Sequence, residues 1–288
     1  LFAHKAPEID PARDRAWLTW LKPLFAEFNA VPPARLHPIY RSFNDDPDML
    51  DMLLHMKPPV ISFHFGLPSP EKISALKATG AVLLATVTSP DEARAAETAG
   101  MDAIVAQGIE AGGHRGIFDP AGHDDALGTF ALTRLLVRKC RIPVIAAGGI
   151  MDGAGMAAAL GLGAVAAQMG TAFILCPETG ADEDYRTALA GPAAFHTRMT
   201  DLISGRPARC LQNRFTSLND GVGIPPVPDY PITYDAGKAL NKAARNCGES
   251  GFGAYWAGQG APLARALPAE QLMGKLKEEL QEARCLLA

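Results

Sequence analysis

The sequence predicts an α/β protein: a (β/α)8 TIM-type barrel with a helical cap inserted after strand eight. Three observations carry that reading. Short, almost wholly apolar segments closed by glycine recur along the first 170 residues, as buried parallel strands do. Helix-like segments alternate with them, the pattern of βαβ units. The last two of these strands each end in a glycine turn, PVIAAGG and AVAAQMG, where barrels of this type hold a phosphate group on bare backbone N–H groups.

Five segments read as strands: 60–66, 81–87, 103–108, 143–149 and 164–170. Between them, Ser69-Pro70 and Ser89-Pro90 read as an N-cap followed by the first helical residue, with Gly80 and Gly100 placed just past the helix ends. If the two glycine turns belong to strands seven and eight, the five segments are strands four to eight. Strands one to three are then expected ahead of Leu1, on the order of 60 to 80 residues, and their lack would leave strands four and eight as open edges. Residues 10–56 read as a helical connection into strand four. The domain expectation is a partial barrel over 1–181, a helical cap without a clear strand over 182–260, and a helix over 261–288 that packs back on the barrel.

Composition narrows the class. A formal charge of −4 with 20% charged residues gives no basic footprint for nucleic acid or anionic membrane. The apolar runs are too short to span a bilayer. The five cysteines are odd in number, widely spaced and without a CxxC pair, so no disulfide framework or metal site is indicated and a cytoplasmic location is the default. The oligomeric state is not legible.

The chemistry-bearing motif is QGIEAGGHRG, 107–116, at the end of proposed strand six. Gly112 and Gly113 permit a tight turn and close backbone approach. His114 is then a base or hydrogen-bond donor, with a structural loop histidine as the alternative. His123, in GHDD, reads as part of an exposed polar turn. Gln107 and Gln168, at two strand ends, offer amides suited to the polar edge of a flat heterocycle, or are ordinary satisfied glutamines. Gly148, Gly149, Gly170 and Thr171 form the expected phosphate cradle, and His64 and Phe65 line the same mouth. In the cap, Tyr234 and Lys238 share a face if a helix begins there. Phenols beside one ammonium suit a small anion, with plain cap packing as the alternative. YWAGQG, 255–260, is placed to close over a cofactor.

Taken together, VISFHFG, QGIEAGGHRG, AAGGIMDGAGMAAALGLGA and AAQMGTAF closely resemble the nitronate monooxygenase family, formerly 2-nitropropane dioxygenases, which are FMN-dependent barrels. The resemblance covers most of the chain. It implies that Gln107, Gly112, Gly149, Gln168, Met169, Gly170 and Thr171 contact FMN, and that His114 is the active-site histidine. Likeness to the class I members makes Tyr40, Tyr185, Tyr230, Tyr234 and Lys238 candidate substrate-pocket residues. The family's initial strand with a Pro-Met motif and its asparagine at the end of strand three have no counterpart here. The implied reaction is oxidation of a small anionic nitronate, such as propionate 3-nitronate, by O2 to a carbonyl compound and nitrite. The alternatives are a flavin-dependent enoyl-acyl-carrier-protein reductase, an NAD(P)H:quinone reductase and, from another class, an inactive barrel fragment.

Overall fold

In the computed structural model, which describes residues 1–287, each of the five segments read as strands forms one in shortened form. The strands are β1 (Val60–Phe63), β2 (Val82–Val87), β3 (Ala103–Gln107), β4 (Gly113–His114), β5 (Val144–Ala147), β6 (Ala166–Gln168), β7 (Thr197–Thr200) and β8 (Ala208–Leu211). The helices are α1 (Pro11–Glu27), α2 (Pro47–Met56), α3 (Pro70–Lys77), α4 (Pro90–Thr98), α5 (Thr129–Lys139), α6 (Gly153–Gly161), α7 (Glu183–Ala190), α8 (Arg214–Ser217), α9 (Ile232–Asn246) and α10 (Ala269–Leu287).

β1, β2, β3, β5 and β6 form one parallel sheet in that order. Its register sets Gln107 beside Ala147 and Ala147 beside Gln168, so three strand ends finish level at one rim. The connecting helices begin as their sequences dictate. The Ser69 and Ser89 hydroxyls accept from the N–H groups of Lys72 and Glu92 at 3.4 and 3.2 Å, satisfying donors that the first helical turn leaves free. Gly80 and Gly100 end these helices at φ 87° and 88°, a conformation glycine adopts without a Cβ penalty. Ile61, Phe63, Leu83, Ala85 and Val87 of the sheet pack against Ile73, Leu76, Ala93, Ala96, Leu132 and Leu136 of α3 to α5.

Among the described residues the sheet is open, with β1 and β6 outermost. The edge at β1 is nevertheless paired over its last residues: His64 N–H donates to the Leu1 carbonyl and Ala3 N–H to the His64 carbonyl, each at 2.8 Å. The open edge expected at strand four is therefore covered where it meets the site.

The cap differs from the strandless expectation. β7 and β8 form an antiparallel hairpin, and β4 joins its free edge, pairing Gly113 with Arg209 and His114 with Ala208. Two arginines, Arg206 and Arg209, interrupt the apolar pattern there and conceal the strand, yet both are buried. The cap has its own core, in which Trp17, Leu21 and Phe25 of α1 pack with Ile203, Phe215, Ile232, Leu240 and Phe252. α1, grouped with the barrel by its place in the chain, thus packs with the cap. α10 returns onto α6, where a Cβ on Gly153 would lie 2.2 Å from the Leu280 nitrogen. No described helix is long and apolar enough to cross a membrane, and no described group of three or more His, Cys, Asp or Glu is placed to hold a metal ion.

Candidate active site

One cavity gathers the rim of the sheet. Gln107, Gly112, Gly148, Gly149, Gln168, Met169, Gly170 and Thr171 all line it, together with His64, Gly258 and Gly260. The parallel register explains this: strands that finish level present their following turns to the same space. Gly148 and Gly149, at φ 114° and 70°, turn the chain after β5. The N–H groups of Gly149, Gly170 and Thr171 have no acceptor among the described residues. A Cβ on Gly170 would meet nothing within 4 Å. Free donors around an open approach are what a phosphate requires, so these residues fit the phosphate end of FMN. Gly112 lines the cavity and also admits a close backbone crossing, since its Cβ would lie 2.4 Å from the Gly258 nitrogen. The 255–260 loop crosses there, tied by Gly258 N–H to Thr171 Oγ1 at 3.0 Å and by Gln259 N–H to the Glu110 carbonyl at 2.9 Å.

His114, on β4, does not itself line this cavity but is held by two residues that do. Its carbonyl accepts from Gln107 Nε2 at 2.9 Å and from His64 Nε2 at 3.2 Å. Gln107 Oε1 accepts from Gly116 N–H at 2.7 Å. Arg115 donates to the Gln107 carbonyl at 2.5 Å and grips Asp124 with two bonds of 2.8 and 2.9 Å. The histidine loop is therefore latched to β3 on one side and to β8 on the other. His123 is exposed and bonds only its neighbour Asp125, as a polar turn should, but Asp124 in the same turn anchors the latch.

The His114 ring lies among Phe65, Tyr230, Tyr234 and Trp256, with centroids 5.1 to 6.3 Å away. Its Nε2 is 2.8 Å from Ser204 Oγ, which is also 3.2 Å from the Arg206 carbonyl. A hydroxyl has one proton to give. Given to the carbonyl, it leaves Ser204 to accept from Nε2–H, and Nδ1 carries a lone pair. Given to Nε2, it leaves the ring proton on Nδ1, which becomes a donor. Burial, then His64 and Arg206, push His114 down to about 3. Burial likewise lowers His64 to about 4, against the opposing bond to the His114 carbonyl. Both rings are neutral near neutral pH.

The cap residues divide. Lys238 donates to Tyr40 Oη and lies 4.8 and 5.1 Å from the ring centres of Tyr40 and Tyr234, so α9 does place Tyr234 and Lys238 on one face. Tyr230 stands 5.4 Å from His114, and burial raises its phenol well above the usual range. Tyr185 stands apart: it donates to the Trp256 carbonyl and stacks on Tyr255 at 5.0 Å, lining a separate cavity with Asn241 and Phe173. Sequence reasoning passed over His4, Ser204 and Arg206, and met Trp256 only as part of the 255–260 loop. The one available signal was the Ser-Gly-Arg-Pro turn at 204–207, which reads as loop until the structure places it against His114.

Residues 13–279 match the nitronate monooxygenase family. Nitronate monooxygenases of Paraburkholderia phytofirmans and Pseudomonas aeruginosa are 58% and 57% identical to the chain; each alignment covers 98% of it, and 77% and 80% of the respective relative. The solved structure of nitroalkane oxidase from Streptomyces ansochromogenes superposes with a TM-score of 0.88 at 40% identity, covering 100% of this chain and 81% of that one. FabK from Thermotoga maritima superposes with a TM-score of 0.67 at 32% identity, over 84% of this chain and 75% of that one. Sheet, cavity and relatives define a flavin-dependent oxidoreductase. The chain belongs to the nitronate monooxygenase family.

Proposed function

We propose that the chain binds FMN and oxidises small anionic alkyl nitronates with O2 to carbonyl compounds and nitrite. The carrying observation is that unpartnered N–H groups at Gly149, Gly170 and Thr171 share a cavity with Gln107 and His64, the two side chains that hold His114. Gly149, Gly170 and Thr171 hold the phosphate; Gly112, Gly148, Gln168 and Met169 shape the cavity around the rest of the cofactor. When bound, FMN supplies the electron acceptor that passes substrate electrons to O2.

The protein's share is recognition and orientation. Lys238, with Tyr40, Tyr230 and Tyr234, offers an ammonium and phenols to the oxygens of a small anion. His114 donates to a nitronate oxygen from Nδ1 in one Ser204 arrangement, and accepts a proton there in the other. A histidine held to about 3 is poorly matched to proton abstraction near neutral pH, which favours the ionised nitronate over the neutral nitroalkane. Tyr185 acts on the site through the Trp256 backbone.

The test is anaerobic mixing of the purified yellow holoenzyme with propionate 3-nitronate and, separately, with NADPH. Bleaching of the flavin by nitronate alone supports this reading. Rapid bleaching by NADPH supports the reductase alternative, and a protein without flavin bands after reconstitution removes both.

A further inference from the structure

Arg206 is 4% exposed and makes one hydrogen bond, from Nη2 to the Ile117 carbonyl. Its Nε is buried without a partner, and it joins no ion pair among the described residues. The carboxylates that act on it through space are Glu92 and Asp119. Glu92 is already engaged by the N–H groups of Thr88 and Phe118, at 2.6 and 2.7 Å. A buried charge without a counter-ion is a standing cost to the fold unless something anionic offsets it.

Its position connects it to His114 through one aromatic ring. The guanidinium carbon is 4.2 Å from the centre of the Phe65 ring, and Phe65 in turn packs edge-on to His114 and Tyr230 at 5.5 and 5.4 Å. The backbone of Arg206 holds Ser204, whose hydroxyl meets His114. Phe65 itself is fixed at φ 73°, an uncommon conformation for a bulky residue and one that marks a constrained position. The groups around His114 among the described residues are the Ser204 hydroxyl, His64, and the rings of Phe65, Tyr230, Tyr234 and Trp256, with this guanidinium on Phe65, and none of them is a carboxylate.

We propose that Arg206 is a specificity-determining positioning residue: its unpaired charge, acting across Phe65, makes the space beside His114 selective for an anion. A neutral His114 and a fixed cation divide two tasks that one protonated histidine would otherwise combine. The anion is held without occupying the ring nitrogen that contacts it. The proposal rests on the nitronate reading for its substrate, but its central measurements need no turnover.

The experiment uses the FMN-loaded enzyme, with sodium nitrite as the anion probe read through flavin absorbance. Arg206→Met keeps an unbranched apolar stem and removes the charge; Arg206→Lys keeps the charge. Nitrite affinity should fall about tenfold or more in R206M and stay within about threefold of wild type in R206K, because a unit charge several ångströms away in a partly screened site is worth about that much. In R206M the nitronate KM should rise with kcat little changed, and the acid limb of the pH profile should move up. A folded R206M that binds nitrite like wild type overturns the proposal. Should R206M not fold, Arg206→Gln, which keeps a hydrogen-bond donor for the Ile117 carbonyl without the charge, takes its place in the nitrite titration, and affinity within about threefold of wild type overturns the proposal. Nitrite binding that depends on Arg206 in an enzyme inactive on every nitronate would overturn the proposed function and leave this inference standing.

Discussion

Gln107 Nε2 donates to the backbone carbonyl of His114 at 2.9 Å, while Gln107 Oε1 accepts from Gly116 N–H at 2.7 Å. Both ends of the amide are thus committed to the histidine loop, although the side chain also lines the cofactor cavity. Gln107→Glu replaces the donor with a carboxylate oxygen facing a carbonyl. The variant is expected to keep FMN and lose about tenfold in kcat/KM, the scale of a misplaced catalytic group. Flavin content and steady-state kinetics check it. Loss of stoichiometric FMN would instead make the direct cofactor contact the dominant role.

Gly170 separates ligand approach from backbone strain. A Cβ there meets nothing within 4 Å, and its φ of −116° suits any residue. Gly149 is at φ 70°, and its Cβ would lie 3.3 Å from Glu110 Cβ, so substitution there disturbs the apo fold as well. Gly170→Val should therefore leave apo stability within about 0.5 kcal/mol while weakening FMN binding at least tenfold, because its side chain fills the approach to the free N–H groups. Thermal unfolding of the apo protein and an FMN titration check the two halves. Unchanged FMN affinity would remove the phosphate from this turn.

How legible this was follows from the range of the interactions. The parallel strands, their serine caps and the glycine turns are local signals, and all appear in the structure within a few residues of their expected places. The cavity followed from them because level strand ends converge. What escaped depends on contacts distant in sequence: β8 hides behind Arg206 and Arg209, and its pairing with His114 spans over 90 residues. Asp124 sits in a turn that reads as solvated, and only the fold sets it against the buried Arg115. Tyr185 was grouped with the other tyrosines by resemblance, yet it lies behind Trp256 in a different cavity.

One buried and two half-buried histidines are expected to make the protein acid-sensitive. Burial is the leading cause in each, lowering His4 and His64 to about 4 and His114 to about 3 from an ordinary 6.5. Between those values and 6.5 the unfolded chain binds more protons than the folded one, so stability is greatest above about pH 6.5 and falls as pH drops toward 4. Each histidine contributes a slope of up to ~1.4 kcal/mol per pH unit. Both ring nitrogens of His4 are buried without partners, so His4→Phe should flatten the acid slope with little loss at pH 7 or above. Denaturant unfolding at a series of pH values checks this, and an unchanged slope in the variant would remove His4 from the account.

The last prediction concerns the two arrangements of Ser204. Asparagine at position 114 can place an amide N–H near the position of Nδ1 but offers no ring nitrogen to take a proton. His114→Asn should therefore spare a substrate that needs only a donor and damage one that must first be deprotonated. The expected loss in kcat/KM is under about threefold for preformed nitronates and about tenfold for neutral nitroalkanes, below the usual range of general-base catalysis because the ring is held down to about 3. Ser204→Ala removes the hydroxyl that sets which ring nitrogen carries the proton, and should reduce both activities by a smaller and similar factor. Parallel kinetics on a nitroalkane and its own nitronate make the comparison internal. Equal losses on the two substrates in His114→Asn would reject proton abstraction and leave His114 a hydrogen-bonding residue held in place by Gln107 and His64.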